Sequence, residues 1–302
     1  MELRELRYFL AVAQEQSVTK AAEYLYITQP SLSRQMQNLE KEIGRPLFIR
    51  GSRKVTLTET GMLLRKRAEE MIALYEKTEA EISASPEEVT GEVFIGGGES
   101  YSVRTVTRAA HEVQKAYPSV CFNFFSGDAG GVIEKLDKGL IDFGIVVDLP
   151  DLSKYNSLRL PYADEWGVLM RKDSALANRE VITADDLRNK PIITSQQSLS
   201  KGSRIYEWFD GNVNDLIIHA KYNLIYNASL LVKEGMGYAI GLNNLINTTG
   251  ESELCFRPLY PPVNARLDLV WKKYSVFSKP AQIFLDKLNE IIRTQSNSSE
   301  NL

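Results

Sequence analysis

The stretch Thr28–Glu40, which reads TQPSLSRQMQNLE, places hydrogen-bonding side chains on one face of a predicted helix. At about 100° per residue, Ser33, Arg34 and Gln37 fall opposite the apolar residues, together with Lys41. Serine, arginine and glutamine side chains can bond to base edges and to phosphate oxygens. The chemistry open to these residues is therefore recognition of nucleic acid, although the pattern also fits an ordinary solvated helix face.

Basic residues are concentrated around this stretch, although the chain as a whole is acidic. The net charge of the 302-residue sequence is −3, whereas residues 28–54 carry six basic side chains and only two acidic ones. The basic residues are Arg34, Lys41, Arg45, Arg50, Arg53 and Lys54. A local excess of positive charge indicates a surface for phosphates, but charge clusters are also common on solvated faces.

Two short helices are predicted before this stretch. Apolar residues recur at helical spacing between Leu3 and Ala13, and Ser17 is suited to capping a second helix. The small residues Ala21 and Ala22 in that helix allow another helix to approach closely. A tight turn then leads to the third helix, and this helix–turn–helix order can present the last helix to a major groove.

The third helix and the segment after it complete the pattern. Thr28 can cap this helix, and Pro30 falls in its first turn, where the missing N–H costs nothing. Its apolar stripe consists of Leu32, Met36, Leu39 and Ile43. The following segment, PLFIRGSRKVTLT, predicts two short strands that form a wing. This wing would carry Arg50, Arg53 and Lys54 toward the DNA backbone.

A long helix is predicted from Thr58 to Ser83, because no proline occurs before Pro86. A seam with alternating steps of four and three residues runs through Leu64, Ala68, Met71, Tyr75, Thr78 and Ile82. Such spacing indicates a helix that pairs with a second copy, although a core helix of the N-terminal domain would fit it too. The segment SASPEEVTG then predicts a hinge.

From Gly91 onward, segments typical of strands alternate with segments typical of helices. The strand-like runs are EVFIGG, VCFNFFSG, DFGIVV, WGVLM, PIITS, LIIHAKYN, YAIGL and LDLVWKK. The helix-like runs are YSVRTVTRAAHEVQKAY, GGVIEKLDKG, NASLLVKEG and AQIFLDKLNEII. This alternation predicts an α/β fold with largely parallel sheets. The last residues, TQSNSSENL, predict a disordered tail.

The segment from Phe9 to Gly61 resembles the winged helix-turn-helix of LysR-type transcriptional regulators. The shared features are the Ala-Ala pair of the second helix, Gln-Pro-Ser-x-Ser-Arg at the start of the third, and Leu-Glu-x-x-[Ile/Leu]-Gly-x-x-Leu-Phe-x-Arg. The resemblance implies DNA contacts at Gln29, Ser31, Ser33 and Arg34, and at Arg50 and Arg53 of the wing. The sequence departs from the family at LTETG, where an alanine usually precedes the glycine.

GLIDFGIVV and LLVKEGMGYAIGL resemble the effector domain of the same family. The resemblance implies an N-terminal all-α winged helix-turn-helix plus a long linker helix, followed by a two-lobed α/β effector domain resembling periplasmic binding proteins. The predicted domains are residues 1–58 for DNA binding, 59–87 for the linker helix and hinge, and 88–302 for effector binding. Lobe I would comprise residues 88–161 and 265–302, and lobe II residues 162–264. Dimerisation through the linker helix is implied as well.

The motif IGGGES indicates a second place where a ligand could bind. It is not a dinucleotide motif, because Tyr101 stands where a third glycine is required. A helix that begins near Ser100 could still hold an anion with its free N–H groups, and in the family this position commonly contacts the effector. Glu99 favours a polar or amine-bearing ligand, or an acid paired with another cation. A helix cap without a ligand is the alternative.

Loops after the predicted strands supply further candidates, because ligands bind at the carboxyl ends of strands in open α/β sheets. The candidate effector-binding residues are Glu99, Ser100, Tyr101, Ser126, Asp128, Asp148, Ser195, Gln196 and Asn227. Asn227 is predicted to cap the helix NASLLVKEG. Taken singly, each loop residue is also explained as a turn or cap residue.

Patterns for catalysis or metal binding are not found in the sequence. His111 and His219 have no partner at metal-ligand spacing, and Cys121 and Cys255 form no CxxC pair. Both cysteines fall in predicted strands, so core packing is expected for them, with redox sensing as the less favoured alternative. Neither a Gly-x-Ser-x-Gly motif nor a phosphate-binding loop occurs. We therefore do not expect an enzyme.

The predicted function is transcriptional regulation through specific promoter DNA, controlled by a small-molecule effector of unknown identity and without another cofactor. Neither a signal peptide nor an apolar run of membrane-spanning length occurs, so a cytoplasmic protein is expected. A homodimer that assembles into a homotetramer is implied by the resemblance, with RNA polymerase as a further expected partner. The alternative is a solute-binding or sensory protein whose N-terminal helices serve only for assembly.

Overall fold

A computed structural model of the chain describes residues 1–51, 54–83, 88–148 and 151–299, with side chains described up to residue 295. Two compact units are present, Met1–Ser83 and Ala84–Leu302. Residues 84–87 of the predicted hinge and Arg53 of the predicted wing lie outside the described residues. Within the described part, no helix is long and apolar enough to cross a membrane.

The N-terminal unit begins with three helices and a hairpin, as the sequence predicts. They are α1 (Leu3–Glu15), α2 (Val18–Tyr24), α3 (Gln29–Ile43) and the antiparallel strands β1 (Phe48–Arg50) and β2 (Val55–Leu57). The Ser17 hydroxyl accepts a hydrogen bond from Lys20 N and so caps α2. Thr28 precedes α3, but its side chain makes no capping hydrogen bond. Pro30 lies in the first turn of α3, where no N–H donor is needed.

One apolar core holds these helices together. Leu32, Met36 and Leu39 of α3 are buried in one cluster with residues of α1 and with the small Ala21 and Ala22 of α2. Burying an apolar side chain of this size stabilises a fold by about 1.5–3 kcal/mol. The apolar stripe of α3 therefore determines which face of this helix stays outside.

The long helix α4 (Glu59–Ser83) packs partly on the same core. Ala68 is fully buried in this core, and Leu64 packs against it, because α4 contacts α1. These two residues of the predicted pairing seam therefore face their own unit, which corrects that assignment. Met71, Tyr75 and Ile82 of the seam are exposed.

Two sheets form the C-terminal unit, and the first of them builds lobe I. Its strands are β3 (Gly91–Gly97), β4 (Val120–Ser126), β5 (Phe143–Val147), β6 (Tyr155–Arg159) and β13 (Leu267–Lys272), in the order β4-β3-β5-β13-β6. β3 is parallel to β4 and β5, whereas β13 is antiparallel to β5 and β6. The helices of this lobe are α5 (Val103–Ala116), α6 (Ala129–Asp137) and α10 (Lys279–Ser299).

The second sheet builds lobe II. Its strands are β7 (Asp164–Arg171), β8 (Pro191–Ser195), β9 (Ile217–Tyr222), β10 (Tyr238–Leu242), β11 (Leu254–Pro258) and β12 (Asn264–Ala265). The order is β11-β7-β10-β8-β9, with β12 paired to β7. β8 is parallel to β9 and β10, whereas β7 is antiparallel to β10, β11 and β12. The helices are α7 (Ala184–Leu187), α8 (Arg204–Trp208) and α9 (Ile225–Lys233).

Both sheets are mixed, so the expectation of largely parallel sheets is wrong. The chain passes from lobe I to lobe II between β6 and β7 and returns between β12 and β13. Each of these four strands pairs antiparallel with its neighbours within its own sheet, which makes both sheets mixed. Prediction of a disordered tail is also wrong for residues 294–299, because α10 continues to Ser299. Core packing is confirmed for Cys255, which is buried in β11, and is wrong for Cys121, which is exposed on β4.

Gly61 in the first turns of α4 should tolerate no side chain. An added Cβ would stand 2.2 Å from Leu47 O and 3.1 Å from Leu57 Cδ2. We expect Gly61→Ala to destabilise the N-terminal unit by about 2 kcal/mol or more, because backbone must shift. Hydrogen exchange of the α3 amides would measure this loss. Thr60→Ala is the matched control, with an expected change below about 0.5 kcal/mol, and equal effects of the two variants would contradict the close packing.

Candidate functional site

Helix α3 exposes the face that the sequence assigns to nucleic acid. Gln29, Ser31, Arg34 and Gln37 are exposed, and Ser33 is half-buried. The apolar stripe on the other side of α3 fills the core, so this polar face is fixed outward by packing. The helix thus presents amide, hydroxyl and guanidinium groups together, which are donors and acceptors suited to base edges.

The acidic residues near this face are engaged by the protein itself. Glu40 Oε1 accepts hydrogen bonds from Leu47 N at 2.7 Å and from Phe48 N at 3.1 Å. Glu42 pairs with the N-terminal ammonium of Met1. Both carboxylates are therefore directed to partners in their own unit rather than to the nearby basic side chains.

The described basic residues of the same segment have no acidic partner. Arg34, Lys41, Arg45, Arg50 and Lys54 are exposed, and none of them forms an ion pair with any described residue. Positive charge that lacks local partners attracts phosphates over distances of about 8–10 Å at physiological salt. The N-terminal unit thus carries an open cationic surface on α3 and the hairpin.

The hairpin is held against the helices by backbone hydrogen bonds. Val55 N donates to Gln16 O at 2.8 Å, at the end of α1. Gly51 N donates to Lys54 O at 3.0 Å and closes the turn. These bonds place Arg50 and Lys54 at the tip of the wing, where the sequence predicts them.

A cavity of about 440 Å³ lies between the two lobes of the C-terminal unit. Of the sequence-predicted effector residues, Glu99, Asp128, Asp148, Ser195 and Gln196 line this cavity. The other predicted residues, which do not line it, are Ser100, Tyr101, Ser126 and Asn227. Five candidates from the ends of four strands, β3, β4, β5 and β8, are therefore brought together, because parallel strands end at the same edge of a sheet.

Ser100 hydrogen-bonds to a buried carboxylate and does not line the cavity. Its hydroxyl donates to Asp164 Oδ2, and the Ser102 hydroxyl donates to Asp164 Oδ1 at 3.1 Å. Asp164 is only 3% exposed and begins β7 of lobe II, whereas both serines precede α5 of lobe I. The N-terminal end of α5 therefore holds a carboxylate of the protein, which corrects the expectation that Ser100 offers a free anion site.

Asn227 and Tyr101 also have other roles than the predicted ones. Helix α9 begins at Ile225, so Asn227 lies within its first turn and does not cap it. The end of this helix is instead covered from lobe I, because Glu99 Oε2 accepts a hydrogen bond from Ile225 N at 2.6 Å. Tyr101 lies beside Arg104, whose guanidinium stands 5.3 Å from the centre of its ring.

Asp148 forms the second polar link across the cavity. Its Oδ1 is 2.8 Å from Nε of Arg204 in lobe II and accepts a hydrogen bond from Arg266 N at 2.9 Å. Its Oδ2 accepts from Trp166 Nε1 at 3.4 Å. Burial raises the pKa of Asp148 from its ordinary value of 3.8, and the hydrogen bonds and Arg204 act in the opposite direction.

Lobe II contributes a polar loop that the sequence reveals only in part. The loop SQQSLSKGSR runs from the end of β8 to the start of α8, and its cavity-lining residues are Ser195, Gln196, Gln197, Ser198, Ser200, Lys201, Gly202, Ser203 and Arg204. The sequence indicated a binding role for this loop only through its position after a predicted strand, where ligands bind in open α/β sheets. Tyr222 forms another part of this wall, where burial and the nearby Glu99 carboxylate raise its pKa.

Comparison with known families assigns both units. Residues 3–62 match the model described as bacterial regulatory helix-turn-helix protein, lysR family, and residues 86–292 match the LysR substrate binding domain. The chain belongs to the LysR family. The predicted recognition and the predicted fold class of a LysR regulator are both confirmed.

Similar proteins of the LysR family are transcriptional regulators. The HTH-type transcriptional regulator CysL of Bacillus subtilis (strain 168) is 30% identical over 256 residues, covering 84% of this chain and 83% of that protein. The Hca operon transcriptional activator HcaR of Escherichia coli (strain K12) is 30% identical over 288 residues, covering 93% of this chain and 94% of that protein. This LysR-family chain is accordingly a transcriptional regulator and not an enzyme.

Solved LysR structures share the fold. Full-length CbnR complexed with its target DNA has a TM-score of 0.75 at 18% identity, and the match covers 96% of this chain and all of that chain (100%). Full-length BenM has a TM-score of 0.53 at 26% identity, with 100% of this chain and 98% of that chain covered. Within the described residues of this LysR-family chain, no group of His, Cys, Asp and Glu side chains is arranged to hold a metal ion.

Ser100→Ala should destabilise the C-terminal unit, because the buried Asp164 loses one of its two hydroxyl donors. A hydrogen bond to a charged group contributes about 1.5–3 kcal/mol, so we expect a loss of this size in the free energy of unfolding. Tryptophan fluorescence during urea denaturation measures it, since all three tryptophans belong to this unit. Ser157→Ala, an exposed serine on β6, is the control and should cost less than about 0.5 kcal/mol. A loss no greater than that of the control would contradict the role assigned to Ser100.

Proposed function

We propose that this regulator binds specific promoter DNA through α3 and the wing, and that a small molecule bound between the lobes controls it. The observation that carries the DNA-binding half is the open cationic surface, whose own acids are engaged elsewhere. CbnR, a structural neighbour, is described in complex with its target DNA. By analogy, Gln29, Ser31, Ser33, Arg34 and Gln37 would meet bases, and Arg50, Arg53 and Lys54 would meet phosphates.

The proposed domains separate DNA binding from effector binding. Residues 1–58 would bind DNA, residues 59–87 would form the linker helix and hinge, and residues 88–302 would bind the effector. Lobe I would comprise residues 88–161 and 265–302, and lobe II residues 162–264. An effector would control DNA binding only as far as it binds one lobe arrangement more tightly than another.

Pairing of two chains through α4 supports binding to two DNA half-sites. Leu63, Met71, Leu74 and Ile82 lie on one side of α4 and are 40% to 79% exposed, which is unusual for large apolar residues along one helix face. This stripe, at roughly helical spacing, replaces Leu64 and Ala68 of the sequence-predicted seam. A homodimer would cover it, and assembly to a homotetramer and contact with RNA polymerase are further proposals that rest on the family alone.

Arg34 and Arg50 should affect DNA binding differently. Arg34→Ala should weaken binding to a site selected from random-sequence DNA by about 1–3 kcal/mol, with little effect on unrelated DNA. Arg50→Ala should weaken binding to both DNAs alike and lower the slope of log affinity against log salt by about 1. Gel-shift titration measures these effects. The control is Arg65→Ala, an exposed arginine of α4 that pairs with Glu69 at 2.9 Å and should bind normally. Normal binding by both test variants would refute the assignment of this surface.

The stripe on α4 should determine the oligomeric state. The double variant Met71→Glu and Leu74→Glu places charges on the proposed pairing face, and we expect light scattering to give a smaller mass than for the wild type. Met62→Glu changes an exposed methionine on the opposite side of the helix and should keep the wild-type mass. An unchanged mass for the double variant would eliminate pairing through this face.

A further inference from the structure

The charged residues of the interlobe cavity are separated by sign between its two walls. All charged lining residues of lobe I are acidic, namely Glu99, Asp128 and Asp148. All charged lining residues of lobe II are basic, namely Lys201 and Arg204. If the cavity holds the effector, as proposed above, its ligand lies between an acidic and a basic wall. We propose that this effector is an amphoteric small molecule, with an apolar body that carries both an ammonium and a carboxylate group.

The N-termini of α5, α6 and α9 do not offer a place for the ligand's anion. Each of these three already faces a carboxylate of the protein: Asp164 lies at α5 through two serine hydroxyls, Asp128 Oδ1 accepts from Gly131 N at the start of α6, and Glu99 accepts from Ile225 N at the start of α9. A second anion at any of these three ends would meet repulsion from the first. The start of α8, which belongs to lobe II, is capped by the Ser203 hydroxyl. The carboxylate of a ligand is therefore directed to the wall of lobe II.

The loop of lobe II provides the donors that a carboxylate needs. Arg204 uses only Nε to pair with Asp148, so its two Nη groups have no partner among the described residues. Lys201 is exposed and forms no ion pair within that same part of the chain. The side-chain amides of Gln196 and Gln197 are further donors at this wall. Asp148 holds the guanidinium of Arg204 in place, which prepares it for a planar, two-point contact with a carboxylate.

The wall of lobe I provides acceptors for an ammonium group. Glu99 uses only Oε2 and Asp128 only Oδ1 in hydrogen bonds to described residues, so each retains a second carboxylate oxygen. Their loops are neighbours, because β3 and β4 are parallel and Gly97 pairs with Ser126. Two carboxylates at one edge favour a cation over a neutral group. A ligand with only an anionic group would leave this wall unpaired.

The space between the two walls is largely apolar. Ile145, Val147, Trp166, Leu242 and Leu245 are among its lining residues. The volume of about 440 Å³ falls in the range of sites for small ligands, about 300–1,000 Å³. An apolar body would bury these side chains, while its two charged groups would reach opposite lobes and hold them together. The chemistry is that of an apolar amino acid or a similar zwitterion.

The test uses the full chain and sets of three compounds that share one apolar body. One set is L-phenylalanine, phenethylamine and 3-phenylpropanoate, and the other is L-leucine, 3-methylbutylamine and 4-methylpentanoate. Isothermal titration calorimetry should show at least one zwitterion binding ten or more times more tightly than both its amine and its acid. Thermal unfolding should shift upward for that compound, since ligands stabilise the state that binds them.

Variants of each wall make the test specific. Glu99→Gln should lower the affinity for the zwitterion at least tenfold while leaving that for the acid unchanged. Lys201→Gln should lower affinity for the zwitterion and for the acid but not for the amine. Lys233→Gln, an exposed lysine at the end of α9 outside the cavity, is the control and should bind like the wild type.

Several outcomes would overturn the ligand class. They are an acid or an amine that binds as tightly as its zwitterion, wall variants that behave like the Lys233 control, and no binding by any compound of either set. Gel-shift titration of the same preparations keeps this result separate from the proposed function. If the wild type binds DNA but no zwitterion, only the proposed ligand class is wrong. If the wild type binds no DNA, the proposed promoter binding is wrong.

Discussion

Carboxylates of the protein at the ends of its helices organise the C-terminal unit. A helix N-terminus has unpaired N–H groups and attracts an anion, with a typical stabilisation of about 0.3–1 kcal/mol. Glu99 accepts from Ile225 N at such an end, and Asp164 accepts from the Ser100 and Ser102 hydroxyls just before α5, so each of these contacts also joins lobe I to lobe II. Without them, a buried carboxylate and a helix end would both lose their partners, and burial of an unpaired charge is costly.

The same contacts decide what the cavity can recognise. Once the helix ends are used internally, the remaining selectivity comes from side chains, and these divide by sign between the lobes. Among the described residues, Asp148 and Arg204 are the one ion pair that already crosses this division, at 2.8 Å. A ligand with both charges would add two further contacts of that kind, which is a physical reason for it to favour the closed arrangement of the lobes over an open one.

In the N-terminal unit, the protein's own carboxylates act in a comparable way on the outer surface. Glu40 bonds to the backbone before the wing, and Glu42 bonds to the N-terminus. Because both acids are engaged, the described cations of α3 and the wing have no acidic partner within the described part of the chain. The net charge of −3 conceals this surface, since only the local pairing shows which charges remain open.

Sequence reasoning succeeded where periodicity and local geometry suffice. The stripe of Leu32, Met36 and Leu39 fixed the orientation of α3, and loops after strands located Asp128, Asp148, Ser195 and Gln196 at the cavity. Sequence reasoning failed where the role of a residue depends on a partner that is distant in the sequence. Ser100 could not be separated from a ligand contact, because its partner Asp164 is 64 residues away. Ala68 fitted a pairing seam, because the spacing that buries a residue against α1 is the same spacing that pairs two helices.

The most direct test of the account is the effect of a cavity ligand on DNA affinity. Fluorescence anisotropy would give the Kd of the full chain for its selected DNA site, with and without a saturating concentration of the zwitterion that binds best. The account predicts a change of about 5–150-fold, the range of typical coupling between two sites, and a smaller change with the Glu99→Gln variant at the same concentration. An identical Kd with and without the bound ligand would contradict control of DNA binding from the interlobe cavity.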